Sequence, residues 1–285
     1  MKKNEIARLW PDFASAPQRA LQMAALLDRA PLPLDLVADT DRELASAIAA
    51  GLVTVQEHDL WGWSLLVDGD LRDFLNSSKD VSPLPEKEQK DLVRKVADAY
   101  CRFFVWPPTE MLQNAIDMDP HVEAALGIAR SLKLWEDVSR LQHHRSLLQG
   151  WRTQKFELPL KYAIEGVDAL YKTDGGKPHP ATLALVLSGL ATWQQFTKRF
   201  KEARKTLADA EKALIPMVGK KTIEPFLLYC QIGTVCARMD DLKGMKKAQD
   251  EAREIAKAMQ APKLEKHIQQ TLSWAQWHLQ HYIGL

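Results

Sequence analysis

Disulfide bonding is the first thing this sequence has too little material for. Three cysteines, Cys101, Cys230 and Cys236, are an odd and sparse set in 285 residues, so no disulfide framework holds the fold. Charge of one sign is missing too. The formal net charge is +1, which removes any global attraction to nucleic acid or an anionic membrane. No apolar run approaches the roughly 18 residues needed to span a bilayer. The opening MKKNEIARLW carries two lysines but no apolar segment of the kind a signal peptide needs. The default expectation is a soluble cytoplasmic protein.

Catalytic signatures are missing as well. There is no G-x-S-x-G, no H-E-x-x-H, no paired C-x-x-C and no G-x-x-x-x-G-K-[ST]. The loop Gly175-Gly176-Lys177 lacks the first glycine of a phosphate loop, and Pro178 follows where a phosphate-cradling helix would open. Asp68 and Asp70 begin like a calcium loop, but the next ligand position is Arg72, which repels the ion. His278 and His281 are helix neighbours without an evident third metal ligand, and read as a polar edge beside Trp274 and Trp277. Cys230 and Cys236 read as small buried thiols. His143-His144-Arg145 are consecutive, so they point in different directions and are expected in solvent or in a groove. The expectation is a non-enzyme with no cofactor and no metal.

What is present is helical periodicity in two sections. The apolar fraction of 46% is ordinary for a globular protein, and the length suits two domains. Residues 1–78 read as a small unit. Gln18–Asp28 is a helix ended by Pro31 and Pro33, and Leu34–Val37 opens a second. A third, capped by Asp39, Thr40 or Asp41, runs to Ala50 and stops at Gly51. Leu52–Val55 and Trp61–Val67 then read as a hairpin, with a turn at His58-Asp59. Three helices and a hairpin make a winged helix, and Leu71–Leu75 opens one more helix. Between Ser15 and Ser78, four arginines face ten acidic residues, a balance of −6. The candidate recognition helix, Asp41–Ala50, and the wing tip at Glu57 and Asp59 are acidic where DNA phosphate would approach. DNA binding is therefore not expected. Trp10, Trp61, Trp63 and Trp106 read as core first and as a binding patch second.

Asn76–Lys87 is polar, contains prolines and is the best linker. Beyond it the period is helical almost throughout. Helices are expected at Glu88–Phe104, Thr109–Ile116, His121–Leu132, Trp135–Leu148 and Leu158–Tyr171. They continue at Ala181–Thr197, Phe200–Leu214, Pro225–Met239, Leu242–Met259 and Leu264–Tyr282. A region of linking helices, 79–150, is expected to precede a repeat array at 151–285. From Gln195 to Leu285, sixteen basic residues face ten acidic ones, a balance of +6. This basic back and the acidic front can pair within the chain or with a partner.

Small residues recur in that array. Ala191, Ala203 and Ala210 are followed 42 positions later by Gly233, Met245 and Ala252, and a second step from Ala191 reaches Ala275. A period of this size in a helical chain means stacked helical hairpins. Leu183–Ile215 resembles a tetratricopeptide repeat, with Ala191, Ala203 and Ala210 at the small positions. Leu187, Leu190, Phe200 and Leu207 fit the large ones, and Pro216 lies near the usual closing proline. The copy from Phe226 is weaker, because Met245 replaces a small residue and Gln249 a large one. Trp151–Leu170 reads as a degenerate earlier copy, and the helix centred on Ala275 as a terminal cap. The fold class expected is mainly α: an N-terminal winged helix followed by a tetratricopeptide-like α-solenoid.

The order of parts resembles signalling ATPases of the NB-ARC and STAND class. Gly51-Leu52-Val53, Trp63-Ser64-Leu65 and Leu71-Arg72-Asp73-Phe74-Leu75 are similar to the hairpin and leucine–arginine–acid motif of their winged helix. Arg94, Ala97 and Tyr100 resemble the following R-x-x-A-x-x-Y helix. His121–Leu126 resembles N-x-x-A-A-L, with His in place of Asn. The resemblance implies the regulatory, sensing half of such a protein, without its ATPase core.

In tetratricopeptide arrays the first helix of each hairpin lines a concave groove. Equivalent positions here are Trp151 and Arg152, Gln195 and Phe196, then Arg238, with His144, Ser188 and Thr192 one or two turns earlier. Arg152, Arg199 and Arg238 either make the groove cationic for a carboxylate, or pair with acids such as Asp240 and Asp241. The partner expected is a protein or peptide in this groove, with a separate ATPase or effector chain as a further possibility, and no membrane. The function expected is a non-enzymatic scaffold or sensor, with bacterial defence as one setting. The alternatives are a transcriptional regulator with a repeat-based sensor, and a fragment or split partner of a signalling ATPase.

Overall fold

The computed structural model describes residues 3–38, 41–58, 62–102, 111–153, 155–173 and 177–261. The chain forms two compact units, Met1–His144 and Arg145–Leu285. It is mainly helical, with one small antiparallel sheet among the described residues. No helix among them is long and apolar enough to cross a membrane.

The first unit opens with α1 (Lys3–Leu9) and α2 (Ser15–Leu26). Strand β1 (Leu32–Pro33) follows, then a 3-10 turn at Leu34–Leu36. The sequence shows no strand here, because two residues ending in proline carry no alternation to read. A second 3-10 turn, Asp41–Leu44, leads into the short α3 (Ala45–Ala49). The capping candidates Asp39 and Thr40 lie outside the described residues. Gly51 takes φ 68°, the left-handed stop that glycine tolerates without a Cβ penalty. Strands β2 (Val53–His58) and β3 (Gly62–Val67) pair antiparallel, Val53 opposite Val67, with β1 on the other side of β3. The expected turn residue Asp59 and Trp61 lie outside the described residues. Leu21, Leu32, Leu44, Leu52, Leu65 and Leu71 are fully buried and fill the space between helices and sheet. Trp10 is core, edge-on to Phe13 and Phe74 at 6.2 Å, whereas Trp63 is 56% exposed. Trp106 lies outside the described residues.

Helix α4 (Gly69–Ser77) starts at Asp68, whose carboxylate accepts from the backbone N–H of Asp70 and Leu71 at 2.9 and 3.2 Å. Asp68 is thus a helix cap, the use to which a short acid is best suited at this position. Arg72 is buried and closes the end of α2: its Nη1 donates to the carbonyls of Ala25 (3.3 Å) and Leu27, and Asn76 donates to Ala25 at 3.2 Å. Asp73 pairs with Arg29 at 2.9 Å. The leucine–arginine–acid motif therefore fastens α4 to the α2 exit.

Helices α5 (Glu86–Arg102) and α6 (Met111–Ser131) follow. Here an expectation is corrected. Thr109–Ile116 and His121–Leu132 are not two helices, since α6 runs through Pro120 without a break. Pro120 is exposed, so the carbonyl that loses its helical donor can turn to water. His121 is fully buried, and its Nε2 donates to the Pro31 carbonyl at 2.9 Å. Tyr100, also fully buried, donates to Asp119 at 3.4 Å. Helix α7 (Trp135–Thr153) runs from the first unit into the second.

The second unit continues with α8 (Glu157–Leu170), α9 (Pro180–Phe196), α10 (Phe200–Val218), α11 (Ile223–Arg238) and α12 (Leu242–Ala258). Helices α9–α10 and α11–α12 are successive hairpins at the 42-residue offset. Ala191, Ala203, Ala210 and Ala252 are fully buried, where a larger side chain would force the helices apart. Met245 lies only partly buried against this core. The cap expected around Ala275, with His278 and His281, lies outside the described residues.

The two hairpins share one turn. Lys198 (φ 61°) and Asp240 (φ 57°) are left-handed, and the N–H of the next residue reaches back five positions, Arg199 to Gln194 and Asp241 to Cys236, at 2.7 and 2.9 Å. This is the Schellman arrangement, which satisfies carbonyls at a helix end. It recurs at Lys133 (φ 57°), between α6 and α7, with Leu134 bonded to Ala129 at 2.8 Å.

Two glycines make the packing testable. A Cβ on Gly150 would lie 2.0 Å from the Trp193 ring, whereas one on Gly127 meets nothing within 4 Å. Gly150→Ala should destabilise the second unit by about 1–3 kcal/mol through overpacking. Gly127→Ala, on an exposed face of α6, should stabilise by about 0.5–1 kcal/mol. Thermal and urea melts of both variants check the pair, and equal melting curves would contradict the close approach.

Candidate functional site

Helices α9 and α11 lie side by side in the same direction and enclose a groove of about 430 Å³. Each contributes one stripe of side chains, because residues three, four and seven apart share a helix face. From α9 come Ala181, Ala184, Leu185, Ser188, Thr192 and Gln195, ending at Phe196. From α11 come Ile223, Glu224, Leu227, Gln231 and Thr234, ending at Arg238.

The groove is graded along its length. Its upper half is apolar apart from Glu224, and three of its walls are exposed: Leu185 (39%), Ile223 (38%) and Leu227 (46%). Its lower half is polar, and much of that polarity is satisfied within the protein. Gln231 Nε2 donates to the Ser188 carbonyl at 2.6 Å and to Thr192 Oγ1 at 2.8 Å. Thr192 donates to the Ser188 carbonyl at 2.9 Å, and Thr234 to the Cys230 carbonyl at 3.1 Å. The Gln231 bonds tie α11 to α9 across the groove floor. The lower end is aromatic and cationic. Phe196 stacks on Phe156 at 4.9 Å, and the Arg238 guanidinium lies 5.5 Å from the Phe196 ring centroid. Burial pushes the Arg238 pKa down from its ordinary value, yet an arginine remains charged. Cys230 lines the groove as a buried thiol whose pKa burial pushes up to about 12, which keeps it protonated and unreactive at neutral pH. Cys236 is buried as well.

Five of the nine residues expected to bind a partner line this groove: Ser188, Thr192, Gln195, Phe196 and Arg238. Four do not. Trp151 lies on α7, with its side chain outside the described residues, and Arg152 is exposed beside it. Arg199 points to solvent and pairs with Glu202 at 3.6 Å. His144 is buried in the first unit rather than set in a groove. The expectation of solvent or groove positions for His143-His144-Arg145 is corrected for all three, which are 4%, 7% and 7% exposed. Arg145 lies over the Tyr162 ring at 4.7 Å. The reason is that α7 is buried around its whole circumference from Leu141 to Ser146. Asp241, one of the acids considered as a partner for the arginines, instead caps α12 by accepting from the Gly244 N–H at 2.8 Å.

Leu185, Leu227, Ile223, Glu224 and Gln231 are groove residues that repeat phase by itself does not single out. A signal for two of them exists in the helical period: extending the stripe back from Arg238 by seven and eleven residues reaches Gln231 and Leu227.

No protein-family model matches this chain, and neither does any curated protein. Among solved structures, it is similar to a signal transduction ATPase with numerous domains (STAND) protein with a tetratricopeptide repeat sensor, from Pyrococcus horikoshii. The identity is 13% and the TM-score 0.42, over 99% of this chain and 50% of that one. The chain therefore spans about half the length of that protein.

Gln231→Leu keeps the volume but removes the floor bonds, and should cost about 1–2 kcal/mol of stability in the second unit; a urea titration with an unchanged midpoint would contradict this. The buried histidines give a pH dependence. Burial lowers the pKa of His121, of His143 to about 4, and of His144 well below its ordinary value. These rings are neutral when folded and protonate when unfolded below about pH 6.5. Unfolding then takes up protons, so stability present at pH 7 declines as pH falls from about 6.5 toward 4. Asp137, raised by burial, acts in the opposite sense. The melting temperature should drop by several degrees between pH 7 and 5, and His143→Asn should flatten the decline.

Proposed function

We propose that this chain is a non-enzymatic, protein- or peptide-binding sensor of the cytoplasm, which receives its partner between α9 and α11. The observation that carries this reading is the coincidence of three exposed apolar side chains, Leu185, Ile223 and Leu227, in one groove. Single exposed apolar residues are ordinary, but a lined groove with a polar end is the form partner sites take. The repeated left-handed turns support a helical-repeat architecture in the second unit, and repeat stacks characteristically bind along extended surfaces.

In the same proposal, the first unit is a winged-helix module. The chain order α2, β1, α3, β2, β3 and the antiparallel pairing of β3 with both other strands support this. Its acidic balance favours packing on protein over binding DNA. The motif order through Leu71–Leu75 and His121–Leu126 supports a role in signalling of the STAND type, with a separate ATPase or effector chain as the other party.

The test compares the full chain with a Leu185→Asp, Leu227→Asp double variant in nuclease-treated affinity purification from the native cell, read by quantitative mass spectrometry. A stoichiometric protein recovered with the parent chain and reduced at least tenfold with the variant is the expected outcome. Equal recovery at equal melting temperature would place the site elsewhere, and recovery of DNA alone without nuclease would overturn the sensor reading.

A further inference from the structure

The groove restricts the form of its occupant, given the reading of it as a partner site. The donors of its central side chains Gln231, Thr192 and Thr234 are spent inside the protein. Gln231 donates to the Ser188 backbone carbonyl and to the Thr192 hydroxyl, Thr192 donates to the Ser188 carbonyl, and Thr234 donates to the Cys230 carbonyl. An extended peptide laid on this floor would bring an N–H and a C=O with every residue, and its carbonyls would face side-chain donors already in use. Backbone polar groups removed from water without partners are costly, and the cost grows with each residue buried. An α-helix brings the same residues with its backbone bonds already made.

Length and charge point the same way. The α9 stripe from Ala181 to Phe196 spans about 22 Å, or four helical turns. The apolar walls occupy its upper half and seat the apolar stripe of an amphipathic helix over about two turns. On α11, Glu224 stands at the upper end and Arg238 at the lower, about 21 Å apart at 1.5 Å per residue.

We propose that the groove receives an amphipathic α-helix of about 15 residues from a partner protein. Its apolar stripe lies on Leu185, Ile223 and Leu227, with a basic side chain at the Glu224 end and an acidic one at the Arg238 end.

The probe is a display library of 16-residue peptides on an alanine-rich helical scaffold. Four positions spaced i, i+4, i+7 and i+11 are randomised over apolar residues, with lysine at one end and glutamate at the other in either order. A second pool is identical but carries proline at the eighth position. Both are selected against the immobilised full chain. The expected result is binders from the first pool alone, weakened at least tenfold by the central proline and lost with the Leu185→Asp, Leu227→Asp variant. One end-charge order should be preferred, and the Glu224→Lys, Arg238→Glu variant should prefer the other, a reversal that a merely misfolded variant cannot produce. Binders that tolerate the proline equally well would overturn the helical occupant and leave the groove as a partner site. Indifference to charge order in both chains would overturn the assigned polarity. If neither pool yields a binder, the helical occupant is wrong, and the partner-capture comparison above decides separately whether the groove reading stands.

Discussion

The second unit depends on how closely its helices approach one another. Ala191, Ala203, Ala210 and Ala252 are fully buried at crossings, and Gly150 admits the Trp193 ring where a methyl group would collide. Small residues bring helix axes close, and closeness lets a side chain as short as glutamine reach from α11 to α9. The tight turns serve the same end. Lysine or aspartate in a left-handed conformation costs roughly 1–2 kcal/mol, a strain offset by satisfied helix-end carbonyls and by the packing that an immediate chain reversal permits.

The first unit is organised around a different constraint, the exit of α2. Arg72, Asn76 and His121 reach this short stretch from α4 and α6, at the carbonyls of Ala25, Leu27 and Pro31. Buried backbone oxygens need donors, and here the donors come from elements distant in sequence. That gives the leucine–arginine–acid motif and His121 a physical role. They hold a helix exit in place, and the sheet follows from where that exit points.

Legibility in the sequence tracks amphipathicity. Helices with one wet face, such as α10 and α12, show their period plainly, and the spacing of small residues by itself marks the hairpin offset. The interior position of the middle of α7 does not show in this way, because a stretch buried on every side, Leu141–Ser146, has no exposed face to orient it. His143, His144 and Arg145 look like surface residues by composition and are interior by position. Pro120 misleads in the other direction, as a breaker that the helix accommodates at an exposed site. In the groove, Ser188, Thr192, Gln195, Phe196 and Arg238 are legible from repeat phase. Leu185 and Leu227 are not, since a leucine on a helix reads as core until its neighbours are known to leave it uncovered.

The crosslink from Gln231 to Ser188 and Thr192 joins consecutive hairpins at mid-groove rather than within either hairpin. Groove width and the tilt between hairpins are thereby a single mechanical coordinate. Opening that joint would stretch these two hydrogen bonds together with the packing of α11 on α9 and α10. A change in groove width and a change in the tilt between the two hairpins therefore draw on the same two hydrogen bonds.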